Sequence, residues 1–422
     1  MSAAMEKAFE GLLALLPECR CGARDLARGG EYFQLEARDI EKAAQRLPLD
    51  HDLKYEGVRR LLALCLEEFA GLFADEAEDW CELSVPAPLC AMYALQEEAG
   101  ELRLSTKAFF AQIVLRSILL GRQPLDPSSC PKRRCGLNNM RRTLLTDIPG
   151  AVPRCLMQFG VLCDECVKIG EGLEGEPETF SLCFPAGEKW AKAYAEHFYE
   201  RLEESLGVKP GARAFREACA LYGRLLRAES DVRRLSLRRS RQLLWGNSLA
   251  LAQSVQLMVS PRNREFIEAL ELLAVELENA PEGGGEKRIY CFYIPFLQPD
   301  IETRFRENGV ALVGSAAFLN RKMGPDYGLA GMTRAWLDSM LLRAGPEEQC
   351  AAIARDMADW GSRIYLTGAF GFDRRLGALV PAQRRILKEK YAIDTRVLDV
   401  DFWGENAMFG SPLERVDQIS QT

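Results

Sequence analysis

Histidine is nearly absent from this chain of 422 residues, which contains only His51 and His197. Neither histidine lies near a closely spaced cysteine pair. A zinc finger with mixed cysteine and histidine ligands therefore has no support in the sequence. The chain also lacks an apolar run of the roughly 18 residues that a membrane-spanning helix requires. The sequence thus predicts a protein without a transmembrane segment.

Glycine-rich nucleotide fingerprints are missing as well. No G-x-G-x-x-G follows a predicted strand, and no G-x-x-x-x-G-K-[ST] occurs anywhere in the chain. Binding of NAD or ATP by those two motifs is therefore not expected. The net charge of -7 argues against general nucleic-acid binding, because that function needs a basic surface to replace counterions.

The first sixteen residues do not have the pattern of an export signal. Glu6, Lys7 and Glu10 interrupt the apolar residues, which predicts an amphipathic helix and a cytoplasmic, reducing location. In that setting most of the fourteen cysteines are expected to be free thiols that pack as small apolar residues. Four cysteines in apolar or helical stretches are assigned to that class: Cys65, Cys219, Cys291 and Cys350.

The most informative feature that is present is a concentration of cysteines between residues 130 and 166. It contains Cys130, Cys135, Cys155 and the closely spaced pair Cys163 and Cys166. Two thiolates separated by two residues can turn toward one metal ion, so zinc and iron-sulfur clusters are both candidates. All-thiolate ligation of an iron-sulfur cluster fits better, because no histidine is nearby. The alternative is a pair of buried thiols.

Residues 1–122 are predicted to be mainly helical. Tyr55 to Phe73 carries apolar residues at helical spacing, and Pro48 is expected to break the chain before it. Ser105 to Leu120 is apolar on most faces, which predicts a buried helix that ends at Gly121.

Residues 123–280 are predicted to form a cysteine-bearing α/β domain and a helical segment. The stretch 123–153 is rich in Pro, Arg, Asn and Asp and is expected to be loop. Phe159 to Leu162 is a candidate buried strand with Cys163 at its carboxyl end, where ligand groups lie in open α/β sheets. Helices are expected at Trp190–Leu206, Ala212–Ala228 and Asn263–Asn279.

Residues 286–422 are predicted to form a Rossmann-like α/β domain after a glycine-rich linker. Helices are expected at Pro299–Asn308 and Ala382–Lys390, and alternation of strands with helices implies a parallel sheet. The strand candidates are Arg288–Ile294, Val310–Val313, Ser362–Leu366 and Arg396–Val400.

The order of these parts resembles the 2-hydroxyacyl-CoA dehydratase and benzoyl-CoA reductase family, over about residues 125–422. The resemblance depends on the order and spacing of several segments rather than on one unique motif. These segments are Cys163-Asp164, the helix opening at Trp190, Arg288–Pro295, Glu307–Gly314, Leu366–Gly377 and the acidic element from Val397 through Arg415.

The resemblance implies a fold, a cofactor and partners. The fold has two Rossmann-like parallel-sheet domains, a helical N-terminal region and a helical connecting segment. The subunit holds a 4Fe-4S or related cluster and pairs with a homologous subunit in a heterodimer or homodimer. A separate ATP-hydrolysing iron-sulfur activator supplies an electron, which forms a ketyl radical on a CoA thioester. Such an enzyme is oxygen-sensitive and anaerobic.

The ligand set implied by the resemblance is incomplete in this sequence. Cys163 matches the family's Cys-Asp ligand and Cys135 matches the upstream loop ligand, whereas residues 369–371 carry no thiol at the third position. Cys166, Cys155 or Cys130 could substitute. Two alternatives stay open: a cluster-free structural subunit of a heterodimer, and a reductase of small molecules with a double-cubane cluster.

Overall fold

The computed structural model describes most of the residues in the chain. They are 3–73, 79–118, 141–142, 145, 153–160, 177–183, 188–238, 244–280, 287–292, 299–315, 322–341, 344–367, 374–398 and 412–421.

Four helices open the chain. They are α1 (Ala3–Leu13), α2 (Ala23–Tyr32), α3 (Ala37–Asp50) and α4 (Glu56–Ala70), the last continued by a 3₁₀ turn at Gly71–Phe73. The prediction of a helix over Tyr55–Phe73 is confirmed. The predicted break at Pro48 is wrong, because α3 continues through Pro48 and ends two residues later, at Asp50.

The first sheet has four parallel strands in the order β2-β1-β3-β4. They are β1 (Trp80–Leu83), β2 (Arg103–Ser105), β3 (Cys155–Gly160) and β4 (Glu178–Cys183). Helix α5 (Leu89–Glu98) connects β1 to β2, and α6 (Lys107–Ile113) follows β2. The strand predicted at Phe159–Leu162 in fact starts at Cys155. Strands β1 and β2 precede residue 122, whereas β3 and β4 follow it. The first sheet therefore contains strands from both sides of the domain boundary predicted after residue 122.

Four helices connect the two sheets. They are α7 (Glu188–Leu206), α8 (Ala212–Arg238), α9 (Gly246–Ser254) and α10 (Asn263–Asn279). Helix α10 has the bounds predicted from the sequence, and α8 extends ten residues beyond its prediction. Helices α4 and α10 approach closely at Gly57, where a Cβ atom would lie 2.6 Å from Cβ of Leu273.

The second sheet is also parallel, with the order β6-β5-β7-β8. Its strands are β5 (Lys287–Phe292), β6 (Val310–Ser315), β7 (Ile364–Thr367) and β8 (Asp394–Val397). The accompanying helices are α11 (Pro299–Glu307), α12 (Gly328–Ser339), α13 (Pro346–Asp359), α14 (Arg374–Tyr391) and α15 (Pro412–Ser420). The predicted Rossmann-like sheet is confirmed, with a strand at each of the four predicted places, although β8 begins two residues before the predicted Arg396.

The two sheets share one topology. In each, the first strand in the chain lies between the second and the third, so the strand order reverses between β1 and β3 and between β5 and β7. Ligands of open α/β sheets bind outside the carboxyl ends of the strands at such a reversal. Within the described ranges, no helix is long and apolar enough to span a membrane.

Candidate active site

The first sheet has one apolar face, and its other face carries polar side chains that are buried at the centre of the sheet. Side chains alternate along a strand, and paired residues of parallel strands point to the same side. Glu82 pairs with Ser105 and Leu156 in the sheet, and Gln158 follows Leu156 on that side. Glu82, Ser105 and Gln158 are each at most 1% exposed. The opposite face carries Cys81, Leu83, Leu104, Cys155, Met157, Phe159, Phe180 and Leu182, all in the main hydrophobic core.

Glu82 is the ionisable centre of the polar face. Its Oε1 accepts a hydrogen bond of 3.3 Å from the N–H of Ala108, in the first turn of α6. Its Oε2 has no hydrogen-bond partner among the described residues. Burial raises the pKa of Glu82 to about 7, although the Arg141 charge and the Ala108 N–H act in the opposite direction. The carboxyl group can therefore hold or release a proton near neutral pH.

Two buried cations belong to the same region. The Nε atom of Arg141 lies 3.8 Å from Oε1 of Glu82, and both side chains are 1% exposed. Lys107 lies two residues beyond the end of β2, and its Nζ lies 4.6 Å from the centre of the Trp80 ring. The buried part of this face thus combines one carboxyl group with two cationic side chains.

A serine connects the central strands of this sheet at their carboxyl ends. The Oγ of Ser84 accepts a hydrogen bond of 2.7 Å from the N–H of Phe159, and the N–H of Ser84 donates to the carbonyl of Met157 at 2.9 Å. This connection lies at the reversal of strand order. Strand β3 ends one residue later, at Gly160, and Cys163 is three residues beyond that end.

The predicted cluster ligands are only partly described. Cys135, Cys163 and Cys166, together with Cys130, lie outside the described residues. Among the residues that are described, no group of three or more His, Cys, Asp or Glu side chains could hold a metal ion.

Cys155 is described, and it lies on the apolar face. It is the first residue of β3, and its Sγ is 2.9 Å from Sγ of Cys81. The hydrogen bond with Cys81 and, to a smaller extent, burial raise the pKa of the Cys155 thiol. At about 3.3 Å per residue, Cys155 is roughly 16 Å from the carboxyl end of β3. The fold places Cys155 beside Cys81, at the opposite end of β3 from the end that precedes Cys163 in the sequence.

Sequence reasoning missed Glu82, Lys107, Arg141 and Gln158. The available signal was the alternation from Trp80 to Ser84, in which a single glutamate interrupts an otherwise apolar strand. Arg141 lies in the stretch predicted to be loop, but residues 141–142 and 145 are helical, and Leu145 packs on Leu156. That prediction of loop is wrong at these residues.

Comparison with known families identifies the chain. The family model of 2-hydroxyglutaryl-CoA dehydratase, D-component, matches residues 115–416, well over half of the sequence. The chain belongs to this family. The predicted resemblance is thereby confirmed, and the chain is related to a component of a dehydratase that has a partner subunit. No curated protein matches the chain. The D-component match includes β3, β4 and the second sheet, whereas Glu82 and Lys107 precede it.

Proposed function

We propose that this chain is the iron-sulfur subunit of an enzyme that acts on a CoA thioester, of the 2-hydroxyacyl-CoA dehydratase or benzoyl-CoA reductase type. The observation that carries the proposal is the junction of β3 with the cysteine pair. A strand at the reversal of strand order ends at Gly160, and Cys163 and Cys166 come three and six residues later in the sequence. The buried Glu82 lies on the neighbouring strand.

The donor set suits an iron-sulfur cluster in its chemistry. Cys135, Cys163 and Cys166 would provide thiolates, and the nearby sequence offers no histidine that would favour zinc. Cys155 was predicted as a further ligand. Because its thiol contacts Cys81 at the amino end of β3, we assign the cluster to the other three cysteines.

A cluster bound there would supply single electrons to the thioester carbonyl. The chain's own residues have separate tasks. Glu82, with a pKa near 7, would hold or release the proton that elimination or reduction requires. Arg141 and Lys107 would stabilise negative charge on the thioester oxygen. Their burial would keep water from the site.

The partners follow from the same proposal. A homologous subunit would complete the dimer, and an ATP-hydrolysing iron-sulfur activator would deliver the electron. The location would be the cytoplasm, under anaerobic conditions.

One observation favours a second candidate, a structural subunit without a cluster. Residues 369–371 are Ala, Phe and Gly, so the third family position has no thiol. A subunit that had lost its cluster would complete a heterodimer with a partner that retains one. A double-cubane reductase is the third candidate, and roughly eight irons per chain rather than four would identify it.

The test is a pair of serine substitutions in protein purified without oxygen. We expect Cys163→Ser to lose most of the bound iron and acid-labile sulfide. Cys350→Ser is the matched control, because Cys350 is fully buried and its thiol bonds only weakly, at 3.7 Å, to the carbonyl of Gln383. Equal iron in both variants and the parent protein would overturn the assignment of Cys163.

A further inference from the structure

Two thiols face each other in the loop between α1 and α2. The Sγ atoms of Cys19 and Cys21 are 3.3 Å apart, and both side chains are partly exposed. Both residues precede the part of the chain that matches the D-component family. The cysteine cluster proposed above does not include them.

The loop that carries these thiols is fixed against two helices. The N–H of Arg20 donates to Oε1 of Glu67 on α4 at 2.6 Å, and its guanidinium pairs with Glu265 on α10. Arg262 pairs with the same two carboxylates. These ion pairs flank the thiols and hold the loop in position.

Two other cysteine pairs within the described ranges differ in accessibility. Cys81 and Cys155 are both buried, with their sulfurs 2.9 Å apart. Cys90 is buried and lies 3.9 Å from the partly exposed Cys219. Of these three pairs, only Cys19 and Cys21 are both partly exposed residues. This pair is therefore more accessible to a reagent than the other two.

The two thiols are chemically unequal. The hydrogen bond that the two thiols share lowers the pKa of Cys19 and raises the pKa of Cys21. Cys19 is thus the better source of thiolate, and a thiolate is the species that attacks a disulfide.

We propose that Cys19 and Cys21 form a redox-active dithiol that a small-molecule disulfide oxidises to an intramolecular disulfide. The Cys19 thiolate attacks one sulfur of the small disulfide, which forms a mixed disulfide and releases one thiolate. Cys21 loses its proton to solvent and attacks Sγ of Cys19, which releases the second thiolate. The protein loses two electrons and two protons, and the small disulfide becomes two thiols. The sulfurs must approach from 3.3 Å to about 2.05 Å.

The test uses the full chain, reduced and free of oxygen, with glutathione disulfide as the probe. Remaining thiols are alkylated, and the peptides are identified by mass spectrometry. We expect the peptide with Cys19 and Cys21 to lose two hydrogens and to escape alkylation before any buried cysteine reacts. Cys350→Ser should behave like the parent protein, because Cys350 is remote from the loop.

Single substitutions separate the two roles. Cys21→Ser should accumulate glutathione on Cys19, since no second thiol can release it. Cys19→Ser should react several-fold more slowly, at Cys21. Two results would overturn the proposal: both thiols stay free while other cysteines react, or Cys19→Ser reacts as fast as the parent protein.

Discussion

The two sheets have the same strand order but different interiors. On the second sheet, Ile289, Cys291 and Leu366 pack in one apolar cluster, while Tyr290 and Tyr365 on the other face join the main core. On the first sheet, one buried face is polar, and Glu82 is the one buried charged residue on any described strand. Parallel sheets covered on both sides are ordinarily apolar on both faces. The polar face therefore points to function rather than to stability.

Each sheet also connects its two central strands with a serine, but at opposite ends. Ser84 bonds the N–H of Phe159 at the carboxyl ends of β1 and β3. Ser362 lies before β7, and its Oγ accepts from the N–H of Tyr290 at 3.1 Å and donates to the carbonyl of Arg288 at 2.9 Å. Thus Ser84 connects the central strands of the first sheet at their carboxyl ends, beside the candidate site. Ser362 connects those of the second sheet at their amino ends.

The largest expected effect comes from removing the carboxylate of the polar face. At pH 8, Glu82→Ala would leave the buried charge of Arg141 without this partner. We expect the free energy of unfolding to fall by about 3–5 kcal/mol, measured by urea denaturation.

A double variant gives the control for that substitution. Glu82→Leu with Arg141→Met replaces this buried charge pair with apolar side chains, and it should restore stability to within about 1 kcal/mol of the parent protein or better. If the double variant were as unstable as Glu82→Ala, the buried charge pair would be needed for stability, and the functional interpretation of this face would be contradicted.

A cavity beside the second sheet should lower the free energy of unfolding without changing the amount of bound iron. Leu366→Ala removes a fully buried side chain from the apolar cluster, and we expect a loss of about 2–5 kcal/mol in the free energy of unfolding. Iron per folded chain should equal that of the parent protein. Loss of iron from this variant would show that the two sheets are not separate in function.

Stability should depend on pH through Glu82. Its pKa is about 7 in the folded protein, above the ordinary value of 4.5, so folding favours the protonated form. This contribution is complete below about pH 4.5 and is lost as the pH rises through 7. Between pH 5 and pH 8 the parent protein should lose about 2.5 kcal/mol more than Glu82→Gln.

The comparison with Glu82→Gln is necessary because Glu302 contributes a slope of the same sign. Burial raises the pKa of Glu302 to about 8. Urea unfolding of the parent protein and of Glu82→Gln at the two pH values isolates the contribution of Glu82 to the free energy of unfolding. If this free energy changed equally with pH in both proteins, Glu82 would be ionised throughout the range.

The smallest effects should come from the two serines. Ser84→Ala and Ser362→Ala each leave a buried N–H without its acceptor, and each should lower the free energy of unfolding by about 1–2 kcal/mol. Only Ser84→Ala should also slow turnover of a CoA thioester, because it lies at the candidate site. Equal loss of turnover in both variants would remove this distinction between the sheets.

Sequence reasoning found the second sheet but predicted only one strand, β3, of the first. Strands β5 to β7 contain apolar and β-branched runs between helices with clear periodicity, such as Asn263–Asn279. Strands β1 and β2 have only four and three residues; Glu82 interrupts β1, and two of the three residues of β2 are polar. The site itself depends on tertiary contacts, because Arg141 reaches Glu82 from a distant segment. The cysteine ligands were proposed from spacing alone and stay a prediction.

Iron analysis of the parent protein is the most direct test of the iron-sulfur assignment. The chain is purified without oxygen, and iron, acid-labile sulfide and visible absorption are measured before and after dithionite. We expect iron and sulfide in matching amounts, about four of each per chain, with absorption that dithionite bleaches. A folded, colourless protein without iron would contradict it and identify the chain as the cluster-free partner of another subunit.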